Sequence, residues 1–597
     1  MGDDLPDEYD SIVLGTGLVE AIVAAALARS GRKVLHLDSN GYYGGNWAVF
    51  NWKDLEEWIA SVKSSGNSDS APDERDYSDL LKDGERLLSM SKPLVTVSDL
   101  DVEEILVPET ETDRSQANTE IKHETEEETV NEENESAVAD TTETLKNEEE
   151  GEERGRETKD AATWTKLKED WRHFNIDLFP KVLYCRGSLV ELLISSQVSR
   201  YLEFRAVSRI VTHMNGMLRD VPSSRADVFN SQIVNIIEKR MLMKFLTFCM
   251  DFEDHLDEYE DFKDKPFVEF LKFKKLTLNL QHFILYALAM KTEQSTTLEA
   301  LTSIREYLRS IGRYGNSPFL WPLYGTAELP QAFCRLCAVF GGIYILKKTA
   351  DKLIIDSENR FQGIVSEGKR LNAKWLLAGP SYIGGIEGIH SETVRKVSRG
   401  IFVTNKSIKP CDDEKVTLLT VPPSVSAIPG VVRALELGPL SFACPKNSHV
   451  VHLTCSSHQS QSAKDTLLTT AEALFGSDEE EDKPRVFWRL FFSQTDIRLR
   501  DETGLPANVI ATSEPDAELG FHQAITKARS IFDVICPGEE ILPAPPDPDD
   551  VVYVEEESHS NPGDKETEGE KDKEGEKEEK DKEPAKDDEK TEQQNEV

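Results

Sequence analysis

Gly15 and Gly17 are the first residues of this chain whose type and spacing can do chemistry. They follow the apolar run Ser11-Ile12-Val13-Leu14 and precede an apolar helical stretch that opens at Leu18. A second strand, Lys33 to Leu37, ends at Asp38. A strand, a glycine turn and a helix in this order cradle a dinucleotide, whose pyrophosphate rests on the helix N-terminus. That turn requires G-x-G-x-x-G, and the third glycine position holds Glu20. The missing glycine is the one that lets helix and strand pack closely. A carboxylate there adds bulk and negative charge where two phosphates would lie. Gly15, Gly17, Glu20 and Asp38 are thus expected to form a vestigial dinucleotide turn. The expected fold is that of a flavin or nicotinamide protein with an FAD site that does not function, so no cofactor is expected. Such a protein binds something rather than oxidising it.

A late turn repeats the theme. Asn508 to Thr512 leads through Glu514, Asp516 and Glu518 into a helix over 521–535. These acids either cap that helix or add negative charge at a second phosphate-facing position. Cys334 and Cys337 form a lone C-x-x-C, read as helix core rather than as a metal or redox site. No nucleophile-plus-base spacing and no clustered metal ligands stand out, so no catalytic residue and no metal are predicted.

The elements that must position these residues alternate as in an α/β protein. After the β-α-β start, 62–76 read as a loop, and order resumes at Arg86 to Leu94 and Leu100 to Val107. A strand is expected at Lys181 to Cys185, then a helix at Leu189 to Val198. Residues 222–312 change character: glycine is absent until Gly312, and apolar residues recur at helical spacing. Helices are predicted over Val228 to Met250, 266–272, 276–290 and 297–312. Strands return at Ile343 to Lys347, Lys352 to Asp356, Gly363 to Ser366 and Trp375 to Ala378. The fold class is therefore α/β, a flavoprotein-like multi-sheet domain with an inserted all-helical domain. Its parts are 1–107, 161–221 and 313–550 for the α/β domain and 222–312 for the helical one.

The net charge of −41 is unevenly spread. Residues 108–160 hold 20 acidic and 6 basic residues, and 555–597 hold 19 and 8. Both stretches lack the apolar residues needed to offset ordering entropy and read as disordered, as solubilising spacers or acidic interaction tails (108–160 and 551–597). With no basic patch to neutralise phosphates, nucleic acid is not an expected partner. Eight scattered cysteines fit a reducing compartment. The N-terminus, Met1 to Tyr9, is acidic rather than signal-like, and the apolar run Leu18 to Ala28 is too short to span a bilayer. A cytosolic location is expected.

Four blocks resemble the family that contains Rab GDP-dissociation inhibitors and Rab escort proteins. They are Ile12 to Trp47, Phe174 to Arg205, Ser224 to Phe252, and Arg313 to Leu346, the last including W-P-L-Y-G-T-A-E-L-P-Q-A-F-C-R-L-C from Trp321. The resemblance covers most of the chain outside 108–160 and the tail. Gly44-Gly45-Asn46-Trp47, Arg225 to Ser231 and the acidic insert resemble the escort branch. The family has a flavoprotein-like fold that does not use flavin. The resemblance implies a platform for GDP-bound Rab GTPases at Tyr43, Glu328 and Arg335, with Tyr344 nearby; Ile343 and Ile345 there would shift Rab preference. It implies docking of the Rab geranylgeranyl transferase alpha/beta heterodimer through Phe229 and Arg240. It implies shelter for the geranylgeranyl groups of Rab along Met241, Phe245, Phe248 and Met250, and transient membrane association during delivery. The expected activity is that of an accessory, substrate-presenting subunit. A GDP-dissociation inhibitor that recycles prenylated Rabs, an FAD-dependent oxidoreductase and a scaffold acting through its acidic tails are the alternatives.

Overall fold

The computed structural model describes residues 5–65, 75, 77–105, 162–214, 216–222, 235–389, 391–411, 413–457, 460–476, 482–499 and 504–544. Both acidic stretches and Phe229 lie outside the described residues.

The first strand, Glu8–Leu14, pairs in parallel with Val34–Asp38 on one side and Lys369–Ala378 on the other. Most side chains of Glu8–Leu14 and all of Val34–Asp38 are buried, as expected where parallel strands are covered on both faces, while the first half of Lys369–Ala378, paired antiparallel with Phe361–Ser366, is partly exposed. Among the described residues this sheet carries eight strands. Ile343–Leu346 lies at the edge beside Val34–Asp38, and Val509–Ala511 joins the C-terminal half of Lys369–Ala378. The first helix, Leu18–Arg29, packs under it with eleven of its residues buried, so its sequence shows no polar stripe. Helices Glu328–Val339 and His522–Ile535 flank it and share its core through Phe333, Cys337, Ile525 and Ala528.

A second eight-stranded sheet runs from Met217–Asp220 to Val97–Glu104, with the long pair Ser391–Thr404 and Val486–Leu499 beside the latter. The helical segment packs on this sheet. Its aromatic core, Phe245, Phe267, Phe270 and Tyr307, is continuous with Trp321, Leu418 and Leu435.

The helical pattern holds with changes of detail. The loop expected at 62–76 starts as helix, because Trp52–Ser65 takes in its first four residues; 66–74 and 76 lie outside the described residues. The predicted helix from Val228 is described only from Ile236, where Asn235 and Glu238 form a reciprocal capping box. The single helix expected over 276–290 is a short turn, Leu278–His282, continuing as a π-helix over Phe283–Leu288. All six π-helical side chains are buried, which no single-face periodicity predicts. The strand expected at Lys181 to Cys185 shrinks to Leu183–Tyr184, because Lys181 is used otherwise.

The Lys181 ammonium is buried. It donates to Asp516 Oδ1, to the Glu518 carbonyl at 2.7 Å and to the Gly520 carbonyl at 3.1 Å. One amine thus gathers the turn that delivers the chain into His522–Ile535. Replacing it by Met leaves Asp516 without its cation and two carbonyls without donors. Lys181→Met is expected to lower stability by about 3 kcal/mol in urea unfolding; an unchanged midpoint would show that the turn holds without it.

Candidate functional site

Three places carry the predicted residues. The first is the glycine turn. Gly15 has φ +98°, which only glycine adopts freely, and Gly17 begins the first helix. Asp38 lines the groove with its carboxylate already engaged by the chain itself. Its Oδ2 accepts from Thr16 N at 2.8 Å and Thr16 Oγ1 at 2.6 Å, and its Oδ1 from Asn40 N at 2.8 Å and Tyr382 OH at 3.1 Å. Glu20 is buried, and the Thr512 hydroxyl donates to its Oε1. A Cβ placed on Gly17 would lie 2.5 Å from Glu20 Oε2, so the carboxyl covers the position where the turn would receive a phosphate. The cavity that remains, about 480 Å³, is lined by Glu20, Asp38, Asn46, Lys347, Tyr382 and Glu514. These residues do not fit a dinucleotide pyrophosphate: its place over Gly17 is filled, and Asp38 is fully engaged.

The reason differs in part from that expected of a carboxylate. Burial pushes the Glu20 carboxyl up from 4.5 to about 8, with Glu514 and Asp38 adding to the rise. At neutral pH the group is mostly uncharged, so it excludes by bulk and not by charge. The late acids also need correction. Asp516 is held by Lys181, and Glu518 pairs with Lys291 at 2.9 Å. Only Glu514 lines the groove, where it accepts from Asn46 Nδ2 at 2.8 Å.

The second place is the helix Glu328–Val339. Asp177 fixes its start: Oδ1 accepts from Thr326 N at 2.7 Å and from the Thr326 hydroxyl. Gly325, at φ +106°, passes so close to Asp177 and Val49 that a Cβ would lie 2.6 and 2.7 Å from them. Glu328 follows, half-buried, its carboxyl pushed up by desolvation alone. Among the described residues no hydrogen bond or ion pair engages that carboxyl. Arg335, two turns on, is exposed, and its guanidinium lies 4.6 Å from the centre of the Tyr201 ring. Tyr43 and Tyr344 are half-buried neighbours with ring centres 6.4 Å apart. The structure thus places Glu328 and Arg335 on one helix and Tyr43 beside Tyr344. Tyr344 departs from the expectation of a partner-facing residue. Its ring lies 4.5 Å from His36, and its hydroxyl turns inward beside Cys334 and Cys337, so it supports the surface from beneath. The C-x-x-C is core, as read from sequence: both sulfurs are buried thiols. Asp177 and Tyr201 were not singled out in sequence. Asp177 meets a residue 149 positions away, a pairing that no local spacing announces.

The third place is helix Ile236–Met250. Arg240 is exposed on it, as are Ile236 at 73% and Ile237 at 72% of their full accessibility. Glu238 ties this end to the next helix by accepting from Thr277 Oγ1 at 2.6 Å. Phe245 is buried against Phe267 and Phe270, while Met241, Phe248 and Met250 are half-buried. Phe248 also lies under the Lys274 ammonium at 4.5 Å. Met241, Phe245 and Phe248 therefore pack into the helical core, and Met250 stands half-buried at the end of the helix. Among the described residues no cluster of three or more potential metal ligands occurs, and no helix is long and apolar enough to cross a membrane.

Because the folded value for Glu20 lies above the unfolded one, its ionisation costs stability as pH rises from about 4.5 through 8. Glu20→Gln, which cannot ionise, is expected to melt at least about 2 °C above the parent at pH 9, the gain vanishing by pH 5. A pH-independent difference in Tm would contradict a buried, protonated Glu20.

Comparisons with known proteins place these features. A sequence model described as GDP dissociation inhibitor matches residues 5–83 and 155–426, and one described as RAE1/2 domain I, C-terminal region, matches 397–517. Rab proteins geranylgeranyltransferase component A 2 of Mus musculus is 37% identical over 93% of this chain and 99% of its own length. Component A 1 of Homo sapiens is 37% identical over 92% of this chain and 94% of its own. Rab GDP dissociation inhibitor beta of Rattus norvegicus is 27% identical over 70% of this chain and 72% of its own. A crystal structure of Rab GDI from Plasmodium falciparum superposes with a TM-score of 0.60 at 20% identity, covering 89% of this chain and 98% of its own, which speaks for the fold alone. The chain belongs to the GDP dissociation inhibitor family, in the branch of the Rab geranylgeranyltransferase component A proteins.

Proposed function

We propose that this chain is a Rab escort protein. It binds newly made, GDP-bound Rab GTPases, presents their C-terminal cysteines to the Rab geranylgeranyl transferase alpha/beta heterodimer, and chaperones the prenylated product to membranes. It is an accessory subunit, and the transferase carries the chemistry. The observation that carries this reading is identity to component A proteins over nearly the whole chain.

The site geometry supports it. A filled dinucleotide turn leaves the α/β fold as a scaffold, so no flavin enters this function. On that scaffold Glu328 holds a half-desolvated carboxyl with no partner among the described residues, and Arg335 offers a planar fork of donors seven residues on. A GTPase surface that supplies donors to the first and carboxylate or carbonyl oxygens to the second would satisfy both. Tyr43 adds a rigid, half-buried ring beside Tyr344. Transferase docking falls to Arg240, with Phe229 preceding the described part of that helix. Ile236 and Ile237 give the same helix end exposed apolar area. The soft aromatic and methionine packing around Met241, Phe245, Phe248 and Met250 is the region that would part to receive a geranylgeranyl chain.

The second reading is a recycling inhibitor, favoured by the similarity to Rab GDP dissociation inhibitor beta over 70% of the chain. Transfer of labelled geranylgeranyl to an unmodified Rab by purified transferase separates the two. Transfer is expected to depend on this chain and to fall roughly ten-fold with Arg240→Ala, while Rab binding is unchanged. Intact Rab binding with no stimulation of transfer would assign the chain to the inhibitor reading.

A further inference from the structure

Helix Glu328–Val339 buries Leu329, Pro330, Ala332, Phe333, Cys334, Leu336 and Cys337. What remains outside is a single strip in which Gln331, Arg335, Ala338 and Val339 are exposed. Gln331, Arg335 and Val339 stand four residues apart, one above the other on the same face. Four residues span about 6 Å of helix axis, whereas a partner of ordinary size covers about 800 Å². A protein resting on Arg335 therefore also covers Val339.

The ground around Arg335 is built for such a contact. The Tyr201 ring, itself 36% exposed, lies beneath the guanidinium. At the helix end, Val339 is 64% and Phe340 45% exposed, two adjacent apolar side chains beside the guanidinium groups. The Arg29 guanidinium, anchored to the Ser196 carbonyl at 3.1 Å, lies 5.7 Å from the Phe340 ring centre. Guanidinium groups held on aromatic faces beside desolvatable apolar side chains are the composition of interface hot spots.

We propose that Tyr201, Val339 and Phe340 complete the GTPase-binding face, which runs from Glu328 along the whole outer strip of this helix; the inference rests on the escort reading above. Tyr201 is a positioning residue that holds the Arg335 fork in its binding direction. Val339 and Phe340 are the apolar contact. The partner surface it fits places an apolar side chain about one helical turn from the acceptor that meets Arg335.

The test measures the dissociation constant of the full-length chain for a GDP-loaded, unprenylated Rab by calorimetry. Val339→Glu is expected to weaken binding at least about ten-fold, by setting an unpaired charge in a dry contact. Tyr201→Ala is expected to weaken it about three-fold, and Tyr201→Phe, which keeps the ring face, less than two-fold. These positions are exposed, and unchanged unfolding curves check that each variant is folded. If Arg335→Ala weakens binding while Val339→Glu and Tyr201→Ala do not, the face ends at Arg335 and the proposal is wrong. Equal losses for Tyr201→Phe and Tyr201→Ala would overturn the positioning role. If Arg335→Ala itself binds like the parent, the platform reading fails together with this extension.

Discussion

The Asp38 carboxylate holds the α/β scaffold together at its functional end. Four donors converge on it, from the glycine turn, the end of the second strand and Tyr382. Its raised pKa reflects burial, which those hydrogen bonds oppose. A carboxylate saturated by its own chain needs no ligand to satisfy it. The Glu20 carboxyl lies over Gly17, pushed by burial toward its neutral form. The glycine turn is tied to the second strand and to Tyr382 by the chain's own hydrogen bonds.

That turn is connected to the strand that carries Tyr344. His36, on the second strand, bonds the Gly15 carbonyl on one side and packs against Tyr344 on the other. Burial pushes its pKa down to about 4, so the ring is neutral and can sit in the core. Tyr344 in turn backs Tyr43 and the helix that carries Glu328 and Arg335. Asp177 and Gly325 fix where that helix begins. The proposed platform is thus backed by packed and hydrogen-bonded side chains of its own chain, an arrangement that lowers the ordering cost of binding. The helical segment is a different material. Its core is phenylalanine and methionine with a π-helical stretch, packing that a flexible ligand can displace more readily than branched aliphatics.

Much of this was legible in the sequence, for physical reasons. The glycine spacing and the parallel strands reflect local sterics and full burial. The helical segment announced itself by its apolar period and its lack of glycine. Glu328 and Arg335 could be placed on one helix from their separation. What was not legible depends on distant partners. Lys181 reads as an ordinary strand residue until the chain folds and brings Asp516, 335 positions away, to its amine. Glu514, Asp516 and Glu518 look alike in sequence, yet two are neutralised by lysines and one faces the groove. Glu20 is visible as an obstacle, but its protonation depends on burial that only the packed structure supplies. Tyr344 lies in a recognisable block, and the direction of its hydroxyl is a matter of rotamer and of the two sulfurs behind it.

The central claim is that a scaffold closed to dinucleotides binds a GTPase through the outer face of helix Glu328–Val339. A crystal structure of the full-length chain with a GDP-loaded Rab tests it most directly. The account predicts the Rab seated on that helix, with Glu328 and Arg335 in polar contact and the Glu20 carboxyl still over Gly17. A Rab bound elsewhere with this helix bare, or a dinucleotide lying over Gly17 with Glu20 displaced, would contradict it.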